Sequence, residues 1–206
     1  MDWSREGLQN ITETATLNQQ LLNHNKMKIL TERLELKEIS WDDLEDIHKL
    51  HSIPEVDQFN TLGLPKDIEE TRDLIRRDID YPPGRPRTSY CWKIVRKDNG
   101  EFIGLAGMFP SNDKFRLGEI YYKLHPDFWG KGYATEVCKA LIKSGFEDFN
   151  LHKVEAGVAT MNVRSIRVLE KCGMTREGLR RRILPIRGKW FDNYHYAIVE
   201  DYPRPR

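Results

Sequence analysis

Hydrophobic and polar positions change period several times along this chain, and each change marks an element. Ile29 to Ile39 alternates, with Leu34 and Leu36 on one face, and predicts a first strand. Ser40 and Asp43 then resemble a capping box in front of a helical stripe, Leu44, Ile47 and Leu50. A second helix starts near Asp67, is striped by Ile68, Ile75 and Ile79, and stops before Pro82 and Pro83. Between the two, Ser52 to Leu64 reads as a loop that could wall a cleft. From Thr88 the period falls to two: Tyr90, Trp92 and Ile94 alternate, Asp98, Asn99 and Gly100 supply a turn, and Glu101 to Met108 returns as the next strand. Arg116 to Leu124 extends this meander. Ala134, Val137, Cys138, Leu141, Ile142 and Phe149 recur at helical spacing, Val154, Ala156 and Val158 alternate, and Asn162 to Lys171 predicts a short helix ended by Gly173. Arg176 to Ile186 and Trp190 to Val199, joined at Gly188, close the chain as a hairpin. This order predicts an α/β fold (α+β mixed), a mixed sheet with helices on both faces.

Residues 1 to 26 follow neither period clearly. They are rich in Asn, Gln and Thr, and are expected as an extension, one loosely docked helix at most, in front of a single domain at 27–206. Of the 206 residues, 39% are hydrophobic, enough for a real core. Lys and Arg number 33 against 32 Asp and Glu, so no overall field draws in nucleic acid or an anionic membrane. Cys91, Cys138 and Cys172 are widely spaced and odd in number, which points to reduced thiols in the cytoplasm. No apolar run reaches membrane length, and no leader pattern opens the chain. His48 and His51 stand at helix spacing without a third ligand nearby in sequence, so no metal is expected.

The chemistry points to one strand-to-helix turn, Trp129, Gly130, Lys131, Gly132, Tyr133, Ala134, Thr135. Small residues let a ligand approach backbone, and the first N–H groups of the following helix, with its dipole, favour phosphate or pyrophosphate. A Walker A loop needs Ser or Thr after Lys131, where Gly132 stands; a dinucleotide fingerprint needs a third glycine, where Thr135 stands. Taken alone, the turn is equally well a tight connection.

With the strings TERLEL, LHPDFWGKGYATE, NVRSIRVLEKCGM, EGLRR and GKWFDNYHYAI in this order, the chain resembles the GNAT-superfamily acetyltransferases from about Lys28 onward. Within them it is most similar to the ribosomal-protein alanine N-acetyltransferase subgroup. The resemblance implies a GNAT-like central sheet, mixed and mostly antiparallel, and acetyl-CoA as co-substrate, its pyrophosphate held by the turn from Gly130 to Ala134. Trp129 stands where the family usually has Gln or Arg, a departure that leaves the backbone donors untouched. Leu124 falls where the family's fourth strand bonds the pantetheine arm, which a splayed gap beside Val154 to Val158 would receive. Asn162 matches the family's second cofactor element, although an N-cap is its plain alternative. Leu169 replaces the usual tyrosine acid, and Ser165 stands where the alanine-acetylating subgroup has its proposed acid. Glu119 is the candidate base, through water, against the plain reading of a surface carboxylate. Asp192, Tyr194 and Tyr196 are candidates for the acceptor wall.

The implied reaction is direct attack of a primary amine on the thioester. Presenting an α-amine of pKa ~8 as neutral at pH 7 costs about 1 to 1.5 kcal/mol, and a lysine-type amine near ~10.4 about 4 to 5. Without an evident strong base, a protein N-terminal α-amine is the easier acceptor. A small-molecule amine (polyamine, amino sugar or antibiotic) and a catalytically silent CoA-binding module stay open, as does a homodimer.

Overall fold

The protein is described by a computed structural model covering residues 27–82, 84, 86–111 and 114–200. Eight strands form one sheet in the order β1-β2-β3-β4-β5-β6-β8-β7. They are β1 (Lys28–Leu30), β2 (Leu34–Glu38), β3 (Tyr90–Arg96), β4 (Phe102–Pro110), β5 (Leu117–Leu124), β6 (Lys153–Ala159), β7 (Thr175–Ile186) and β8 (Lys189–Val199). Helices α1 (Leu44–His51), α2 (Pro54–Asp57) and α3 (Ile68–Ile79) precede β3, α4 (Tyr133–Glu147) joins β5 to β6, and α5 (Val163–Lys171) joins β6 to β7. Among the described residues β5 and β6 run parallel and the other six neighbouring pairs antiparallel, as the resemblance implied.

Two elements depart from the sequence expectation. The strand expected from Ile29 to Ile39 folds back on itself, β1 pairing with β2 across a turn in which the Leu34 N–H donates to Thr31 Oγ1. The expected loop from Ser52 to Leu64 contains α2, whose four residues are too few to show a period and which opens on Pro54, a residue suited to a first helical turn. At the other helix starts the sequence signals hold: Asp43 Oδ2 accepts from the Ser40 N–H at 2.8 Å, and Asp67 caps α3 through the Glu70 N–H at 2.9 Å. The expected extension at 1–26 lies outside the described residues.

Alternation sorts the side chains between two cores. One face of the sheet packs Leu34, Leu36, Trp92, Ile94, Met108, Ile120 and Val154 against Val137, Cys138 and Leu141 of α4 and Leu169 of α5. The other face packs Cys91 and Leu105 against Leu44, Ile47 and Leu50 of α1 and Ile75 of α3. Strand β4 is covered on both faces, and it reads FIGLAGMFP, a nearly continuous apolar run. The three cysteines are free and buried. Among the described residues no helix is long and apolar enough to cross a membrane.

Close approach of β4 and β5 requires glycine. A Cβ at Gly104 would stand 2.2 Å from the Lys123 carbonyl oxygen, whereas at Gly178 it would meet nothing within 4 Å among the described residues. Gly104→Ala is expected to cost about 1–3 kcal/mol as an overpacked position. Gly178→Ala should stay within about 0.5 kcal/mol of wild type. Paired thermal melts of the two variants check this; equal melting temperatures would contradict the close approach.

Candidate active site

Strands β5 and β6 share only three pairs, Leu117 with Lys153, Gly118 with Val154 and Glu119 with Glu155. Beyond these, β5 stays with β4 as far as Leu124 opposite Gly104, and β6 stays with β8 as far as Ala159 opposite Asn193. A wedge-shaped gap opens between them. The His125 N–H pairs with the Ile103 carbonyl on β4, so alternation turns the peptide groups of Leu124 and Tyr122 toward the gap. The Trp129 indole N–H donates to the Leu124 carbonyl at 2.8 Å, tying the turn to the strand end.

At the wide end lies the glycine turn. Gly130 and Gly132 have φ of +75° and +83°, the left-handed region that suits glycine, and Gly132 is the N-cap of α4. The first helical bond is made by Glu136, whose N–H donates to the Gly132 carbonyl, so the N–H groups of Gly132, Tyr133, Ala134 and Thr135 precede any intrahelical partner. A glycine N-cap has no side chain to satisfy them. A Cβ on Gly130 would meet nothing within 4 Å among the described residues, leaving the turn open from outside. These features fit a pyrophosphate.

A cation that the sequence reading missed stands beside the turn. Arg33, between β1 and β2, donates from Nη1 to the Lys131 carbonyl at 3.1 Å and from Nε to Glu136 Oε2 at 2.7 Å, and its guanidinium lies 4.4 Å from the Tyr133 ring centre. The Arg33 N–H and the Thr31 hydroxyl donate to Glu136 Oε1 at 2.7 and 2.6 Å. Burial pushes the Glu136 pKa up, but the hydrogen bonds from Thr31 and Arg33 outweigh it and hold the carboxyl below its usual value.

Across the gap, Ser165 Oγ is 2.9 Å from the Tyr122 hydroxyl. Burial, the largest influence, raises the Tyr122 pKa, with nearby Cys138 adding to it, so this hydroxyl stays protonated. Asn162 Oδ1 accepts from the Ser165 N–H at 3.1 Å, so the plain N-cap role of Asn162 is realised. Leu169 is 1% exposed and belongs to the core. Tyr122 was legible as a gap-facing residue only through its alternation with Ile120 and Leu124; nothing local indicated its partner.

Glu119 is exposed and, by alternation, faces the side of the sheet opposite Tyr122, so the structure does not bring it together with Ser165. Tyr196 was expected on the acceptor wall but is 1% exposed, its hydroxyl donating to Glu170 at 3.0 Å. It is core because its strand position shares the face packed by α4 and α5. Asp192 accepts from the Arg182 N–H within the closing hairpin. His48 Nδ1 is 2.8 Å from the Thr71 hydroxyl. From the 52–64 segment, Val56, Asp57, Asn60, Leu62 and Gly63 line a small pocket with His51 and Lys123. Glu155, Glu177 and His195 come within metal-ligating range of one another, but the Lys153 ammonium already pairs with both glutamates, at 3.2 and 2.7 Å.

The acetyltransferase (GNAT) domain model matches residues 33–175. The "Uncharacterized N-acetyltransferase p20" of Bacillus licheniformis is 30% identical over 174 residues, 84% of this chain and 96% of that protein. The "FsC-acetyl coenzyme A-N(2)-transacetylase" of Aspergillus fumigatus is 30% identical over 152 residues, 70% of this chain and 63% of that protein. A GNAT-family acetyltransferase from Bacillus anthracis superposes with a TM-score of 0.74 at 28% identity, covering 85% of this chain and all of its own. The chain belongs to the GNAT acetyltransferase family. It is an acetyl-CoA-dependent N-acetyltransferase.

Two outcomes follow. Gly132→Val should raise the acetyl-CoA KM because a branched side chain fills the approach to backbone, and should also cost about 1–3 kcal/mol of stability at this left-handed residue; a folded variant with unchanged KM would reduce the turn to a connection. Because the Glu136 pKa is lowered in the folded state, its contribution to stability is full above the unfolded value near 4.5 and is lost as pH falls through the folded value. The melting-temperature difference between wild type and Glu136→Gln should therefore be largest above about pH 5 and shrink in acid. A difference independent of pH would contradict it.

Proposed function

We propose that the enzyme transfers acetyl from acetyl-CoA to a protein N-terminal α-amine, in the manner of the ribosomal-protein alanine acetyltransferases. The observation that carries this is the parting of β5 and β6 after Glu119 and Glu155, with the glycine turn at the wide end and the Ser165 hydroxyl on one side. In this reading the N–H groups from Gly130 to Thr135 hold the pyrophosphate, with Lys131 and Arg33 nearby as cations. The Leu124 carbonyl is engaged by Trp129, which leaves its N–H and the Tyr122 peptide for the pantetheine arm, and the amide nitrogen of Asn162 for the same cofactor.

Oriented peptide N–H groups along the gap would polarise the thioester carbonyl and stabilise the charge that develops when nitrogen attacks. Holding thioester and amine together removes the entropic cost of their encounter. The departing thiolate takes a proton from Ser165, whose oxygen is supported by the Tyr122 hydroxyl. Glu119, exposed on the opposite face, offers a path for the amine's proton to solvent.

A ligand that binds only the folded state raises the melting temperature, so acetyl-CoA should stabilise the protein and ATP and NAD should not. Thiol release is then measured with alanine-initiated peptide amides, spermidine and aminoglycosides. Peptide amides should turn over with the highest kcat/KM; a preference for spermidine or aminoglycosides would overturn the acceptor, and cofactor binding without any thiol release would leave a silent CoA-binding module. Ser165→Ala should lower kcat by about 10²-fold or less while sparing cofactor affinity, since a thiol of pKa ~8.5 leaves fairly well unaided. Wild-type kcat in that variant, with chemistry rate-limiting, would make water the acid.

A further inference from the structure

The pocket under the 52–64 segment lies on the face of β5 opposite Tyr122 and Ser165, and its polar lining is incomplete. Asp57 is 3% exposed. Its Oδ2 accepts from Arg187 Nη2 at 2.8 Å, a residue carried across from the β7–β8 turn. Its Oδ1 finds no hydrogen-bond donor among the described residues. A buried carboxylate oxygen without a donor is costly to keep, so it marks a place where a donor is expected. The cavity it borders, shared with His51, Asn60, Gly63 and Lys123, has a volume of about 10 Å³, room for one water-sized group.

Lys123 comes from β5, the strand that borders the gap, and is half-buried. Its ammonium is 3.4 Å from His51 Nε2 of α1. Asp57 faces it from α2 and Cys91 from β3, while His48 stands behind His51. Burial, then Lys123 and His48, push His51 down to about 3, so the ring is neutral at working pH and accepts from Lys123. Burial lowers Lys123 to about 8, with Cys91 and Asp57 pulling the other way. Arg187 already balances Asp57, so a further cation entering the pocket drives Lys123 to give up its proton.

We propose that this pocket receives the acceptor's amine, which donates to Oδ1 of Asp57, and that Lys123 is the base that takes the amine's proton. The inference rests on the amine-acetylating reading and names the base that reading lacks. One proton of the acceptor ammonium passes to the neutral Lys123 amine and on to solvent; Glu119 lies four residues back on the same face of β5, beyond Tyr121. The freed nitrogen lone pair forms the C–N bond, the C–S bond breaks, and the second amine proton is balanced by the one that ends on sulfur. Products are the amide, CoA thiol and one released proton. A base near 8 is matched to an α-amine of pKa ~8; against an alkylammonium near ~10.4 it leaves over a hundred-fold less neutral amine. The site therefore selects α-amines by acidity.

The test uses the full chain, acetyl-CoA and an alanine-initiated peptide amide, with kcat measured from pH 6 to 9.5. Lys123→Met is expected to lower kcat about 10²-fold at pH 7, and the deficit should close as pH rises past the acceptor's own pKa, near ~8. Lys123→Arg keeps the charge but cannot act as a base, and should match the Met variant. Asp57→Asn should raise the acceptor KM and leave the acetyl-CoA KM unchanged. No deficit, or one independent of pH, would overturn the role of Lys123. Calorimetry of the same peptide amide binding to the CoA-saturated wild type, in two buffers of different ionisation heat, gives a second readout that needs no turnover. Nearly one proton should be released at pH 7, and Lys123→Met should abolish the release. Binding without proton release, or no binding, would overturn the pocket. A wild type that releases a proton yet acetylates no amine fails the function alone, and one that acetylates as well without Lys123 fails this inference alone.

Discussion

The structure turns on a ladder that stops. Every peptide group in a sheet needs a partner, and each strand has two edges to supply them. Strand β5 stays with β4 as far as Leu124 and β6 with β8 as far as Ala159, while on their facing edges the two part after Glu119 and Glu155. What would be a defect in a closed sheet becomes a slot lined by peptide groups of known direction. Helix α4 packs against β5 and closes the core behind the slot, and its start points the glycine turn at the wide end.

The turn is held from far away in the chain. A turn with left-handed residues at Gly130 and Gly132, the second of them the N-cap, has little of its own to fix its shape. Arg33 and Thr31 supply the missing constraint by gripping Glu136 through three hydrogen bonds, two to Oε1 and one to Oε2, and Arg33 also holds the Lys131 carbonyl. The string TERLEL at the beginning of the domain and GYATE in its middle thus meet in one clamp. Their joint presence is a single structural fact, the first strand turn bracing the glycine turn.

Period and turn chemistry carried most of the fold. Alternation at Tyr90, Trp92 and Ile94, the Asp98 to Gly100 turn and the stripe from Val137 to Ile142 each reappear as the element they predict, because their signals are local. The break at 31–33 and the four residues of α2 were not legible, since neither is long enough for a period to develop. The candidate site divides in the same way. Gly130, Gly132 and the cap by Asn162 depend on near neighbours and could be read. The pairing of Tyr122 with Ser165 spans 43 positions, Lys123 with His51 spans 72 and Arg33 with Glu136 spans 103. A period of two says which face a residue takes, and nothing about what waits there.

The two sides of the slot have a consequence for the order of events. Tyr122 and Ser165 stand on one face of the sheet, while Glu119, Lys123 and the 52–64 segment stand on the other. On the proposed reading, donor and acceptor arrive from opposite directions and meet through the sheet, neither blocking the other's entrance. An enzyme so perforated has no need to store the acyl group on a side chain between two visits. With the acceptor in the proposed pocket, its steady-state kinetics would belong to the ternary-complex class, with intersecting double-reciprocal lines.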